Sequence, residues 1–426
     1  MPPTPMTRMP EPALEYVPIP KSRYTGAEFA ALEWERMWTQ VWLMAGRVSD
    51  IPEPGDYFTF EIGSESILVI RQHDGSIAAR YNVCMHRGNR LREPGRGHVD
   101  RFSCLFHGWQ YEIDGSLAAA LDPECFKQGV PADQLSLRPV LCDTWAGFVF
   151  ISLNPAAGPL RDYLGIIPEH LDPYGFENWK IAYDCTVEIE CNWKTCVDAF
   201  NEAYHLSSTH AWTVAFSDDV RTVYDCYDKH TRMIFPEVQA SPRFAPPGTV
   251  TDEMKEMFLK RVGVDVENFE GDADAARRAY AEAIQKMAPM LGADFGDLNL
   301  SQMCDDFHYT IFPNITFNTH SLFVWVFTHR PHPTDPNRMY FDFINLMNTP
   351  SQDIPRPDKE HYSTARGDTL DGKCAGGDLL DEDLYNLPRV QRGMNSAAFE
   401  HLHLGSQEVR ILHHQDTLMR YIEGGA

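Results

Sequence analysis

This sequence has little to offer a membrane. No apolar run reaches the ~20 residues of a spanning helix, and the longest candidates, such as SLFVWVF (321–327), are strand-sized. The opening MPPTPMTRMPEP has no apolar core, so no secretory signal is expected. Cysteine is sparse, with 10 in 426 residues. That excludes a disulfide framework and suits a reducing cytoplasm. Positive charge is scarce too: Lys+Arg total 37 against Asp+Glu 61, a formal net charge of -24. Nucleic acid and anionic membranes are therefore poor general partners. There is no internal repeat and no low-complexity tract. The pattern H-E-x-x-H is missing, which argues against a zinc metalloprotease.

What is present suffices for large cores: hydrophobic residues make up 43% and aromatics 12%. The length predicts two or three domains. Residues 1–40 start Pro-rich and turn helical in TGAEFAALEWERMWTQVW, with Thr25 as a cap. From about Pro52 to Leu153 the pattern is that of short strands. DYFTFEI, SILVIRQ and IAARYNV alternate, and Asp74-Gly75 and Asp114-Gly115 are turn signals. Beyond the linker-like NPAAGPL (154–160) strands and helices mix. Strands are predicted at IAYDCTVEIE (181–190), FHYTIFP, ITFNT, SLFVWVFTHR and RMYFDFINL. Helices are predicted at 192–210, at TDEMKEMFLKRVG, at DADAARRAYAEAIQKMAPML and, last, from about Leu387 to His401.

The chemistry concentrates in CMHRGNRLREPGRGHVDRFSCLFHGW (84–109). Cys84-x-His86 is followed, seventeen residues on, by Cys104-x-x-His107. Structural zinc accepts two Cys and two His, but usually as C-x₂₋₄-C and H-x₃₋₅-H pairs, so the alternation fits it poorly. A Rieske 2Fe–2S centre takes two Cys on one iron and two His on the other, and two loops each giving one of each suit it. Gly88, Gly95, Gly97 and Gly108 would let the backbone approach closely. Such a centre works between about -150 and +300 mV, within reach of a ferredoxin-type donor. A carrier alone would not need the long chain that follows. Five arginines (87, 90, 92, 96, 101) against Glu93 and Asp100 leave a positive patch beside the motif. Of these, Arg92, Arg96 and Arg101 are the expected donor-docking residues, with Arg87 internal.

The second constellation is NWKTCVDAFNEAYHLSSTH (192–210). Glu202 and His205, three apart, share a helix face. His205 and His210 are five apart, about 140° on an ideal helix, so they can hold one ion only if the helix bends or ends between them. Ser207, Ser208 and Thr209 could permit that. Two histidines and a carboxylate from elsewhere make the facial triad of a non-haem Fe(II) oxygenase.

Together the motifs resemble the large (α) subunit of Rieske non-haem iron oxygenases, the aromatic ring-hydroxylating dioxygenase family, over nearly the whole chain. CMHRGNRL and CLFHGWQY stand at the cluster loops, NWK and EAYH at the iron site. The resemblance implies an α+β fold: an all-β Rieske domain (41–155) inserted in a helix-grip (START/Bet v1-like) catalytic domain with a central antiparallel sheet. Residues 1–40 and 156–426 form the catalytic part. It implies Cys84, His86, Cys104 and His107 as cluster ligands and His205, His210 and Asp383 as ligands of a mononuclear iron. Asp383 lies eight residues before Gln391 in DEDLYNLPRVQRG, with Asp381 as runner-up. The catalytic acids expected are Glu202 and Asp198. Glu202 stands where the family places a carboxylate bridging the cluster histidine of one subunit to the iron histidine of the next. Asp is usual there in arene dihydroxylases; Glu, with the shorter spacing from NWK, is nearer the carnitine, betaine and demethylase branch.

The function so implied is the terminal component of a multicomponent oxygenase in aromatic compound catabolism. Electrons from NAD(P)H arrive through a reductase or ferredoxin, O₂ is co-substrate, and an aromatic or hydrophobic small molecule is hydroxylated. The alternative is a monooxygenase, an N- or O-demethylase, or a quaternary-ammonium oxygenase; a pure electron-transfer protein comes last. The expected assembly is an α3 homotrimer, with or without β subunits (α3β3). Expected pocket walls are Phe200, Leu206, Trp212, Val214, Phe216, Phe235, Phe307 and Tyr309, joined by Ile311 and Phe323. Asn201, Asn314 and His308 are candidate polar contacts.

Overall fold

A computed structural model describes residues 6–296 and 298–424. The first five residues of the Pro-rich start lie outside them. The chain forms two compact units, Trp34–Tyr163 and the sequence flanking it.

In the first unit, strands β1 (Trp42–Arg47), β2 (Asp56–Ile62), β3 (Glu65–Arg71), β4 (Ile77–Tyr81), β5 (Arg96–His98), β9 (Pro139–Trp145) and β10 (Phe148–Ser152) form one sheet. Its order is β1-β10-β9-β4-β3-β2-β5. A second sheet holds β6 (Arg101–Ser103), β7 (Gln110–Glu112) and β8 (Leu117–Ala119). The predicted turns close as expected: Asp74 accepts from the Ser76 amide at 2.9 Å and Asp114 from the Ser116 amide at 2.8 Å. Cys84 and Cys104 are buried in one apolar cluster with Leu68, Phe102, Trp109 and Tyr111, which ties both motif loops to the core.

The second unit carries an eight-stranded sheet. Its strands are β11 (Lys180–Ile189), β12 (Val223–Cys226), β13 (Thr231–Phe235), β14 (Asp306–Ile311), β15 (Ile315–Thr319), β16 (Phe323–Pro331), β17 (Met339–Met347) and β18 (Glu360–Ser363). The order is β12-β13-β14-β15-β16-β17-β11-β18, antiparallel except for β11 with β18. Among its helices are α1 (Ala27–Glu33), α2 (Trp193–Ala199), α3 (Leu206–Thr209), α4 (Ala273–Leu291), α5 (Gly377–Met394) and α6 (Val409–Ile422). The fold is α+β: an all-β unit, and a second unit built on a largely antiparallel sheet with helices. Helix α6 lies on one face of that sheet, where Arg410 donates to Thr231 Oγ1 on β13 at 2.9 Å and to Thr310 Oγ1 on β14 at 2.8 Å.

Two predicted helices differ. The last one starts at Gly377 and ends at Met394, and α6 follows it. The apolar periodicity of α5 begins upstream of Leu387, at Leu380 and Leu384, behind an acidic run that reads as loop. The stretch 192–210 is two helices with an irregular segment between Ala199 and Leu206. One break falls before His205, and the second helix ends at Thr209, between the two histidines as expected. At the first break, Asn201 accepts from Thr310 Oγ1 at 2.5 Å and Glu202 accepts from the His205 amide at 3.0 Å, which diverts the chain from helical bonding.

Candidate metal centres and cavity

The two motif loops of the first unit are the same hairpin built twice. The Gly88 amide donates to the Cys84 carbonyl at 3.0 Å, and the Gly108 amide to the Cys104 carbonyl at 2.9 Å. Both glycines have positive φ, 75° and 69°, which favours glycine at these turns. Each loop therefore presents one thiol and one imidazole. The His86 and His107 rings lie 4.6 Å apart, and His86 stacks on Trp109 at 4.8 Å. Tyr111 Oη sits 3.3 Å from Cys84 Sγ and accepts from the Met85 amide at 3.0 Å. Both thiols are free and buried, and His86 Nδ1 is buried without a partner. A metal cluster satisfies such a set; paired protein groups do not.

Of the five arginines, four turn to their own unit. Arg90 pairs with Glu61 at 3.0 Å, Arg96 with Asp50 at 3.2 Å and Arg101 with Glu112 at 2.7 Å. Arg92 donates to the Leu91 carbonyl at 2.7 Å and covers the Phe102 ring. Arg87 is exposed over Phe106, the reverse of the sequence expectation.

The second centre is assembled by α2, the segment after it, and α5. Asn192 caps α2, accepting from the Lys194 amide at 3.0 Å. Gln391 of α5 clamps that end, its Oε1 accepting from the Asn192 amide at 2.8 Å and from Thr195 Oγ1 at 3.0 Å. Asp383 lies two turns earlier on α5, which brings it to the histidines. Ligand atoms of His205, His210 and Asp383 all lie within 4.8 Å of one another. Asp383 Oδ1 is 3.2 Å from His210 Nε2 and 3.8 Å from His205 Nε2. Asp381 is elsewhere, accepting from the Leu370 amide at 2.7 Å and the Asp371 amide at 2.8 Å.

The far nitrogen of each histidine meets a carboxylate. His205 Nδ1 contacts Glu202 Oε1 at 2.6 Å, and His210 Nδ1 contacts Glu382 Oε2 at 2.6 Å. Donation from Nδ1 leaves both Nε2 lone pairs facing Asp383, the arrangement a metal needs. Burial opposes charging these imidazoles, but the carboxylates outweigh it and hold both above the ordinary histidine range. Glu382 was not foreseen; its signal was only its place beside Asp383 in DEDL. Asp198 is not brought to the centre. It is buried and accepts from Tyr24 Oη at 2.6 Å.

A cavity of about 500 Å³ opens onto the triad. Phe200, Leu206, Trp212, Phe216, Phe235, Phe323 and His308 line it, as expected; Val214, Phe307, Tyr309, Ile311, Asn201 and Asn314 do not. Strand parity explains most of this. Asp306 and His308 face the cavity from β14, so Phe307, Tyr309 and Ile311 face the other side. Thr213 and Phe216 share the lining face of one helical turn, and Val214 is turned away. Asn314 donates to the His329 carbonyl at 3.1 Å. Sequence reasoning missed Met233, Asn318 and Trp325, which with His308 form one cross-strand row over β13 to β16.

Residues 176–424 match the family of the ring hydroxylating alpha subunit (catalytic domain). The chain belongs to this family. Residues 41–130 match the Rieske [2Fe-2S] domain, so this α subunit combines a Rieske cluster with a mononuclear iron site, and the zinc alternative falls. The glycine betaine monooxygenase oxygenase subunit of Chromohalobacter salexigens is 34% identical over 194 residues, 45% of this chain and 43% of that protein. The chain thus aligns with under half the length of that relative. The large oxygenase component of the naphthalene 1,2-dioxygenase system of Pseudomonas aeruginosa is 25% identical over 83% of this chain and 82% of its own. Among solved structures, a quaternary ammonium Rieske monooxygenase matches with a TM-score of 0.70 at 20% identity, over 97% of this chain and 99% of that one. Naphthalene 1,2-dioxygenase from Rhodococcus sp. matches with 0.66 at 19%, over 95% and 94%. These two matches concern the fold. Among the described residues no helix is long and apolar enough to cross a membrane.

Proposed function

We propose that this α subunit is the terminal oxygenase of a multicomponent system, fed from NAD(P)H through a reductase or ferredoxin, and that it hydroxylates an aromatic or hydrophobic small molecule with O₂. The observation that carries this reading is the aromatic-lined cavity of about 500 Å³ meeting His205, His210 and Asp383. Residues 41–155 form the Rieske domain in this reading, with Cys84, His86, Cys104 and His107 holding the cluster. Residues 1–40 and 156–426 form the catalytic domain, with His205, His210 and Asp383 holding the iron. The chemistry supplied at that site is reductive activation of O₂. The protein does the rest. Glu202 and Glu382 fix the ring orientation of the two histidines. Phe200, Phe235 and Trp325 place an apolar substrate and keep water from the reacting centre. Glu202 also stands to link His205 to His107 of the partner subunit in an α3 trimer, with or without β subunits, in the cytoplasm.

A second reading, a quaternary-ammonium monooxygenase or demethylase, has its own support. Glu rather than Asp stands at position 202, and the glycine betaine subunit is among the relatives. Indole and phenyl faces such as Trp212 and Phe323 can cradle a cation.

The test is metal and sulfide analysis followed by substrate-dependent O₂ uptake with a reductase. About three irons and two sulfides per chain are expected, with uptake lost in His210→Ala while the cluster's visible bands persist. A chain holding only two irons, inert toward every substrate, would be an electron carrier.

A further inference from the structure

One wall of the cavity is polar. His308 and Asp306, both on the lining face of β14, are 1% and 8% exposed. Arg410, itself 0% exposed, donates from Nη2 to His308 Nδ1 at 2.9 Å. A guanidinium cannot accept, so His308 Nδ1 must be the acceptor and the ring proton sits on Nε2. That Nε2–H is buried and has no partner. Asp306 Oδ1 is likewise buried without a hydrogen bond; its nearest basic atom is His320 Nε2 at 3.8 Å. Two unmet hydrogen-bonding atoms in one cavity wall are destabilising unless something fills them.

The charge of the wall narrows what fills it. Burial pushes Asp306 up to about 8, so at neutral pH its carboxyl holds a proton. Glu237, beside it, is held well above the usual range, chiefly by burial. His320 is pushed down to about 3 by burial and stays neutral. His308 is kept neutral by burial and by Arg410. The neighbouring Arg277 is spent on Asp305, with bonds of 2.5 and 2.9 Å. The wall therefore presents the His308 donor, and burial disfavours negative charge on its acids. It suits a neutral oxygen better than an ammonium, and Arg410 behind His308 adds to that preference.

We infer that His308 and Asp306 form a recognition site for a neutral hydroxyl or carbonyl oxygen on the substrate, so that the preferred substrates are oxygen-bearing aromatic or alicyclic rings rather than bare hydrocarbons or quaternary ammonium compounds. This rests on the cavity being the substrate site, as in the proposed function. The His308 Nε2–H donates to the oxygen, and Asp306, two residues along the strand, offers a second hydrogen bond.

The test is anaerobic binding to the wild-type holoenzyme, followed by quenching of tryptophan fluorescence. The probes are naphthalene, 2-naphthol and (2-naphthyl)trimethylammonium. One hydrogen bond made only by the naphthol is expected to tighten its binding about tenfold over naphthalene. His308→Leu should abolish that preference and His308→Gln, which can still accept from Arg410 and donate to ligand, should keep it. Equal binding of naphthol and naphthalene, or tightest binding of the ammonium probe, overturns the inference, and needs no variant to fold. O₂ uptake is read separately. Selective naphthol binding without uptake on any probe would sink the oxygenase reading and leave the recognition site standing.

Discussion

At the scale of single residues, the clustering of His205 and His210 was legible because the chemistry is written in type and spacing, but the carboxylates that meet them were only half so. Glu202 shares a helical register with His205; Glu382 is one of several acids at a helix start, where acids are common anyway. Only the fold shows that it meets His210 Nδ1 at 2.6 Å and the Trp212 indole at 3.3 Å. Glu382→Ala should weaken iron retention by about 10–100-fold, measured by chelator competition, and Glu382→Gln should retain more iron than Ala. Unchanged retention in both would make Glu382 a bystander. Asp198 is an acid of the same motif that packs against Tyr24 instead. Burial raises it to about 7 from 3.8, against the smaller opposing pull of Tyr24 and Lys194. The folded state thus holds a proton that the unfolded state releases at lower pH, so this residue costs stability as pH rises from about 4 to about 7. Below that window it has no effect. Asp198→Asn should flatten the decline of Tm across that window. An identical decline in the variant would mean that other buried acids carry it.

At the scale of elements, strands were read correctly as strands, but the face that β14 presents was not. Alternation marks two faces and leaves open which one meets a cavity when both are buried. All six residues of β14 are buried, so its sequence carries no inside–outside contrast. The aromatics Phe307 and Tyr309 looked like pocket walls; the polar Asp306 and His308 are the ones that line it. Similarly, the helix break before His205 depends on Asn201 meeting Thr310, a contact 109 residues away in sequence that no local pattern encodes. The parity can be checked by paired truncation. Phe307→Ala, a cavity in the packed face, should cost about 3–5 kcal/mol of stability and leave substrate KM nearly unchanged. Trp325→Ala should cost less and shift KM about tenfold through lost ring contacts. The reverse pattern would mean that the faces are exchanged.

At the scale of the whole molecule, the α+β class and the pairing of a Rieske cluster with a mononuclear iron were legible because they need only short spacings and the alternation of apolar residues. The distribution of charge was not. The arginines around the cluster motif looked like a patch facing outward, yet Arg90, Arg96 and Arg101 each find a carboxylate of their own unit, and Arg92 covers Phe102. Sequence counts charges; it cannot say which are already paired. Arg90, Arg96 and Arg101 are exposed as well but paired, whereas Arg87 is exposed beside Leu105 at 90% and Phe106 at 57% exposure. On a chain of net charge -24, an acidic donor is repelled overall, so a lone cation beside an apolar knob is where encounter would be steered. Charge reversal there is therefore the sharper experiment. Arg87→Glu should slow cluster reduction by a ferredoxin-type donor and flatten its dependence on salt, because screening over about 8 Å at physiological ionic strength acts on that pairing. Reduction by dithionite should be unaltered, which separates docking from damage to the cluster. Arg96→Glu, already paired with Asp50, should change donor-driven reduction much less. Equal effects of the two variants would mean that the field of the whole tip, rather than Arg87, guides the donor.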